Sequence, residues 1–536
     1  MKTFLLVFAA GGLSLMAESQ TVSNGPPAAS SEAEASSQVS AFVAQNSSAS
    51  PAPAPGAAPA AVIPGPDPVG SIPVSSSSAG VAAPGPAPLT GSFFTRFYRA
   101  YANDWTTTST DSGPAPAFRG YPAPQSDPPY PFTVWPYGGS PVIGQPFTQS
   151  GPLMEALWSG PNGDWWKKSG IQIYGWLNGG MNVSTSKQGG YSNYPATYAE
   201  RGNSVQLDQE VLYIERQPDT VQTDHIDWGF RISPIYGLDY RFTTAKGIFS
   251  NQLLGKNKEN GFDVPMAYFD LYLPHVAQGM NIRVGRYVSL PDIEAQLAPN
   301  NYTYSHSLTY TFDCYTQSGI NTSTMLSKHW LLQVGLSSGC DAAPWTKDAQ
   351  ATVNACLGYY THGGGDNIYF CANSINNNKY AYNNLGAYYL TWYHKFNERW
   401  HTDTESWYQY ERNTPNVNNL IGQGLLENGA NGAYCSQLYE VTCYAPEFAI
   451  LNYVEDKLGP KDYLSFRTEF FDDIKGQRTG FKTRYSEHLI GWGHWVGSTV
   501  LFRPELRFDH AYDARPYDNG SRHSQLMFAC DAIFFF

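Results

Sequence analysis

The chain has 536 residues and a formal net charge of -12, and its charged and aromatic residues are equally frequent at 15% each. Soluble domains carry about 25% charge, yet mean hydropathy stays negative at -0.37, so neither a set of soluble domains nor a lipid-soluble chain fits. No apolar run of the length a transmembrane helix needs is present, and 33 basic residues without a cluster leave no footprint for nucleic acid.

Residues 1–17, MKTFLLVFAAGGLSLMA, set one lysine before an apolar stretch and a small residue, which is the pattern of a secretory signal peptide. Residues 18–92 are low in complexity. Of the 70 residues from Thr21 to Thr90, 50 are Pro, Ala, Ser or Gly, too few bulky side chains to bury, so a disordered tether is expected. Residues 93–169 keep 12 prolines and add aromatics, as in YPAPQSDPPYPFTVWPY and GDWWKK. Proline at that density denies ladder hydrogen bonds. It predicts an extended segment, either packed by its aromatics at the mouth or lumen of the C-terminal domain or serving as more linker.

From Gly170 the pattern turns to strands. In IQIYGWLNGGMNVS, Ile171, Ile173, Leu177, Met181 and Val183 share one face, and Gln172, Tyr174, Asn178 and Asn182 the other. The alternation recurs where Ile226, Trp228, Phe230 and Ile232 oppose Asp227, Gly229, Arg231 and Ser233. It is read again in Leu308, Tyr310 and Phe312 against Thr309, Thr311 and Asp313. In RWHTDTESWYQYER, His401, Asp403, Glu405, Gln409 and Glu411 lie opposite Trp400, Tyr408 and Tyr410, and further on Val500, Phe502, Leu506 and Phe508 oppose Arg503, Glu505, Arg507 and Asp509.

A soluble sandwich and a membrane barrel both alternate. Consecutive inward charges of both signs, from Arg503 to Asp509, suit a wet lumen, and Tyr and Trp gather near strand ends as at a bilayer interface. The last strand, QLMFACDAIFFF, carries Leu526, Phe528, Cys530, Ala532, Phe534 and Phe536 at alternate positions. Phe528, Phe534 and the terminal Phe536 resemble the signal by which outer-membrane barrels are assembled, and closing the sheet removes an apolar edge. The 367 residues from Gly170 to Phe536 fit an all-β, closed antiparallel transmembrane barrel of about 16 strands, with 14 to 18 also fitting. THGGGDNIYFCANSINNNKY and NTPNVNNLIGQGLLENGANGAY read as surface loops.

The run RQPDTVQTDHIDWGFRISPIYGLDYRFTTAKG, with MAYFDLYLP, MNIRVGRYVSLPDIEAQLAPNNYTYSHSLTYTF and FRPELRFD, resembles the β-barrel porin-2, or OmpL-like, family of Gram-negative outer-membrane proteins. The likeness covers most of 170–536 and implies a closed barrel that admits small solutes. It transfers no catalytic residue.

Seven cysteines, an odd number, come after an export signal. Cys435 with Cys443 would close one loop, two of Cys340, Cys356 and Cys371 another, and Cys530 is placed toward lipid as an apolar filler. No CxxC pair points to zinc. Asp403 and Glu405 sit two apart on one strand face, a spacing that suits a glycosidase pair but that a charged lumen wall produces equally. His306 between two serines reads as a rim residue or a titrating gate. Of the residues from 170 on, 36 are acidic and 27 basic, which favours cations if they line the lumen.

The expected protein is therefore a non-enzymatic outer-membrane porin without catalytic residues, metal or cofactor, its N-terminal segment in the periplasm. Arg231, Asp403, Glu405, Arg503, Glu505, Arg507 and Asp509 would line the pore. Its partners would be outer-membrane lipid, the barrel-assembly machinery and small hydrophilic solutes. A homo-oligomer is left open because no residue marks a subunit contact. Two other readings stand beside it: a barrel plugged by 93–169 that acts in binding or adhesion, and a secreted soluble glycan binder or hydrolase.

Overall fold

The computed structural model describes residues 88–106, 143–144, 151–256, 258–361, 365–377, 379–380, 384–427 and 431–536. The signal peptide and nearly all of the tether lie outside these residues.

Sixteen strands run in chain order. The first eight are β1 (Ile171–Ser184), β2 (Val205–Arg216), β3 (Asp227–Gly237), β4 (Gly261–Leu273), β5 (Met280–Val288), β6 (Thr316–Met325), β7 (Trp330–Cys340) and β8 (Thr352–Tyr360). The rest are β9 (Asp366–Ile375), β10 (Gly386–Lys395), β11 (Trp400–Pro415), β12 (Thr442–Lys457), β13 (Asp462–Asp473), β14 (Thr483–Val496), β15 (Val500–Ala511) and β16 (Ser524–Phe535). Each pairs antiparallel with its neighbours, and β16 returns to β1, with Leu177 opposite Phe534 and Val183 opposite Phe528. Closure leaves no strand edge to aggregate. At the seam the backbone of Phe536 exchanges two hydrogen bonds with Gly175, at 2.9 and 3.1 Å. Only glycine fits there, because a Cβ on residue 175 would lie 2.0 Å from the Val211 carbonyl oxygen and 2.8 Å from the Phe536 ring.

The two faces of the wall obey the period-two pattern. Phe502, Leu506, Phe508, Leu526, Phe528 and Phe534 are exposed, whereas Arg503, Glu505, Arg507, Asp509 and Asp531 on the same strands are at most 2% exposed. Apolar side chains thus look outward and charged ones inward, the reverse of a soluble sandwich. One end has short turns, such as 326–329, 458–461 and 497–499, and the other has long connections, such as 289–315 and 416–441. Outer-membrane barrels show this asymmetry between periplasmic turns and extracellular loops. Outward aromatics gather at both ends: Trp228, Trp330, Trp392 and Trp492 near the short turns, and Tyr236, Tyr388, Tyr408 and Tyr444 near the long loops. The rings of Trp330 and Tyr359 lie 4.8 Å apart, and the hydroxyls of Tyr408 and Tyr444 are 2.8 Å apart. Such belts sit where a bilayer meets water.

Three expectations are corrected. Residues 93–169 are not wholly extended: α1 (Phe93–Thr106), α2 (Pro152–Trp158) and α3 (Gly163–Ser169) are helices, and the prolines cluster between α1 and α2, mostly outside the described residues. Residues 366–375, read as part of a loop, form β9, whose inward Asn367, Tyr369, Cys371 and Asn373 alternate with exposed Ile368 and Phe370. Residues 308–313, read as a strand, hold a single helical turn, Leu308–Thr311, inside the barrel. The Ser307 hydroxyl caps that turn by accepting from the Tyr310 amide, a local bond that competes with any ladder.

Candidate functional site: a constriction in the bore

Between β5 and β6 the chain turns back into the barrel. Nearly every residue of 289–315 is buried, including Leu297, Thr303, Tyr304, Ser305, Ser307, Leu308 and Phe312. A segment inside a bore cannot leave its backbone polar groups unmet. The wall meets them with charge.

Three inward carboxylates accept backbone amides of the segment. Glu405 takes the Ile293 amide at 2.9 Å, Glu505 those of Tyr304 and Ser305 at 2.9 and 3.2 Å, and Glu469 that of Leu308 at 2.9 Å. Arginines donate to its carbonyls. Arg503 reaches the oxygens of Ala298 at 2.7 Å and Asn301 at 2.8 Å; Arg507 reaches that of His306 at 2.7 Å, and Arg467 that of Ser305 at 2.5 Å. Uncharged wall groups complete the seat: Gln209 donates to Gln296 O at 2.7 Å, Trp407 to Thr309 O at 3.1 Å, and Gln409 to Phe312 O at 2.8 Å. Apolar contacts sit among these bonds, as where Phe312 stacks 5.8 Å from Phe471.

Every inward arginine at the seat also has an acidic partner. Arg467 bridges Glu294 of the segment at 3.0 Å and Glu487 of β14 at 2.8 Å, Arg503 pairs with Asp531, and Arg507 with Asp509. Arg231, farther round the wall, pairs with Glu215 at 2.6 Å. By contrast, Asp403, Glu405, Glu447 and Glu455 on β11 and β12 form no ion pair among the described residues. Basic and acidic sides of the bore are therefore unequal.

The seven residues read from the sequence as lumen-facing all point inward and are buried, but they occupy two places. Glu405, Arg503, Glu505 and Arg507 touch the segment directly. Asp509 acts through Arg507, while Asp403 and Arg231 lie on the wall away from those bonds. Arg467, Glu469, Glu487 and Glu294 were missed, although SFRTEF carries the same alternation that revealed 503–509. His306 is not at a rim. It is 3% exposed, stacks 3.8 Å from Tyr198, and its Nε2 lies 2.8 Å from Ala295 O. Burial pushes its imidazole down to about 3.

Three disulfides are formed: Cys314–Cys340, Cys356–Cys371 and Cys435–Cys443, with Cys530 free on the outward face. The first ties the end of the inserted segment to β7. Beside the segment, Tyr213, Arg231, Met266, Asp292, Glu294 and Gln296 line a cavity of about 60 Å³, room for a few waters. Ile143 packs on Tyr272, Leu331 and Tyr360 near the short-turn end, so part of 93–169 also reaches inside. Among the described residues no group of three or more His, Cys, Asp or Glu is placed to hold a metal ion.

A closed barrel with a lipid-facing exterior, a charged interior and an inserted loop defines an outer-membrane porin. The model of the family described as "Putative beta-barrel porin-2, OmpL-like" matches residues 170–536, and the chain belongs to that family. Solved structures with a similar fold include an anion-selective porin from Comamonas acidovorans, at TM-score 0.44 and 9% identity over 68% of this chain and 99% of that one. The outer-membrane channel DcaP of Acinetobacter baumannii is similar at TM-score 0.43 and 11% identity, over 68% and 97%. The trimer form of OmpT from Vibrio cholerae is similar at 0.39 and 9%, over 68% and 99%. No curated protein matches the chain.

Proposed function

We propose that this porin passes small hydrophilic solutes by diffusion, along the polar seam between the inserted segment and the wall. The observation that supports it most is the charged seat itself: a bore meant only to be filled could be lined with apolar side chains, whereas buried ion pairs add little stability over them. The wall residues orient and screen; they perform no covalent step. The carboxylates of β11 and β12 that lack an ion pair favour cations once hydrated. The contact of α1 with the 497–499 turn, at the short-turn end, supports a periplasmic N-terminal segment.

Purified protein in a planar bilayer tests this. Discrete conductance steps are expected, with a reversal potential in a KCl gradient that marks K⁺ as the more permeant ion. A folded barrel that never conducts would sink the channel reading. It would favour a second one, a closed barrel acting in binding, for which the filled bore is the supporting observation.

A further inference from the structure

Helix α1 presents an unusual face. Of its 14 residues, FFTRFYRAYANDWT, the buried ones are Arg96 and Ala100, while Phe94 is 71% and Tyr98 64% exposed. Phe93, Phe97, Tyr101 and Trp105, spaced by four, form a column of rings with centroids 6.1, 5.3 and 5.8 Å apart; the first three are half-buried, and Phe94, Tyr98 and Trp105 carry the exposed face beside them. A helix docked in water hides its aromatics and shows its arginines. Here Arg96 is turned inward, where it donates to the carbonyls of Ala156 at 2.9 Å and Gly91 at 2.6 Å, and Arg99 folds back on the carbonyls of Pro88 and Thr90.

The inverted helix is held against the barrel. Asp104 accepts the Ser498 amide at 2.8 Å and the Thr499 hydroxyl at 2.7 Å, the Trp105 indole donates to that hydroxyl at 2.9 Å, and the Tyr101 hydroxyl donates to Phe535 O. These contacts fix α1 at the 497–499 turn, on the end where the outward indoles of Trp228, Trp330, Trp392 and Trp492 gather. Helix α2 sits beside the overhang of β1, whose pairing with β16 starts only at Trp176, and the Ile173 amide meets Met154 Sδ at 3.1 Å. Helix α3 adds an exposed Trp165, with Lys167 and Lys168 exposed beside it.

We propose that α1 and α3 form a collar that lies in the phospholipid leaflet on the short-turn side of the membrane. The collar continues the indole belt of the barrel, and a bilayer must surround the barrel at that level in any case. Exposed Phe, Tyr and Trp with lysines beside them match the boundary between acyl chains and headgroups, where rings are buried and ammonium groups meet phosphate. The inference rests on the outer-membrane reading of the barrel, and its test separates the two.

The full chain carrying Cys530→Ser and Tyr98→Cys takes an environment-sensitive fluorophore at position 98 and is reconstituted in vesicles of phosphatidylethanolamine and phosphatidylglycerol. Phe528→Cys in the same background reports the barrel's lipid face, and Trp165→Cys gives a second collar position if the first fails to fold. Blue-shifted emission at 98 is expected, quenched more by lipid with a nitroxide near the headgroup than by lipid with one deep in the acyl chain. At 528 the deep nitroxide should be the stronger quencher. Quenching at 528 with water-like emission at 98 overturns the collar and leaves the barrel reading intact. Blue-shifted emission at 98 without lipid quenching also overturns it, since another part of the chain would then cover the helix. No quenching at 528 means that the barrel reading itself has failed.

Discussion

The connections 289–315 and 416–441 leave the same end of the barrel and are of similar length, yet the first lies in the bore while the second keeps Leu420, Ile421, Leu438 and Tyr439 exposed. Neither contains a Lys or Arg. The first has two prolines and no glycine, whereas glycines such as Gly422, Gly424 and Gly432 punctuate the second. The outer loop meets its polar groups from within: Asn416 donates to the carbonyls of Gln437 and Glu440, Asn419 caps a helical turn, and Cys435–Cys443 closes the end. The inner segment also has internal bonds, as where Asn301 donates to the carbonyls of Ala295 and Leu297 and Glu294 accepts from Ser307, but it adds partners from the wall, which the outer loop does without. What separates the two is therefore where backbone hydrogen bonds are supplied rather than how polar the loops are.

Breaking that supply should turn the inner segment into a loop like the outer one. The largest effect is expected from Arg467→Ala, which removes the arginine partner of buried Glu294 and leaves buried Glu487 with Arg507 alone. Losing one side of a buried pair costs about 3–5 kcal/mol. A lower unfolding midpoint in urea and larger, noisier conductance steps should appear together.

Next comes Cys314→Ser with Cys340→Ser, which frees the segment from β7 after a separation of 26 residues. Disulfides are worth about 2–4 kcal/mol. Conductance measured in single channels should rise, whereas Cys435→Ser with Cys443→Ser should leave it unchanged. Equal effects from the two pairs would erase the contrast between the loops.

Glu505→Ala should be milder, removing an acceptor shared by the Tyr304 and Ser305 amides; bonds to a charged group are worth about 1.5–3 kcal/mol. Faster hydrogen exchange confined to 302–307 is the expected readout.

The smallest effect concerns the outer end, where Asp518 joins two loops. The amides of Gln188 and Lys187 hold its carboxyl below the ordinary aspartate range, with Arg522 adding to this. A depressed pKa stabilises above the ordinary value of about 3.9 and is lost as pH falls through the lowered one. Exchange at 187–188 should therefore quicken only in that acid window, with the inner segment unaffected.

Parity along a strand is local, so the wall was legible. From Val500 to Asp509 the sequence alone shows which side chains share a face. Parity misled where it was short: Leu308, Tyr310 and Phe312 mimic a strand over six residues, while a serine cap and distant Glu469 make a helical turn. Glycine and asparagine around 366–375 suggested a loop because the strand's inward face is Asn-rich, as a polar bore allows. Helix α1 was hidden because its burial pattern is inverted.

Amino-acid order by itself settled the kind of barrel, its approximate strand number and its apolar exterior, since period-two alternation needs no knowledge of distant neighbours. Only the folded chain decided that 289–315 turns inward. That choice rests on carboxylates and arginines from β11, β13 and β15 converging on amides and carbonyls more than a hundred residues away, and no local pattern encodes such a meeting.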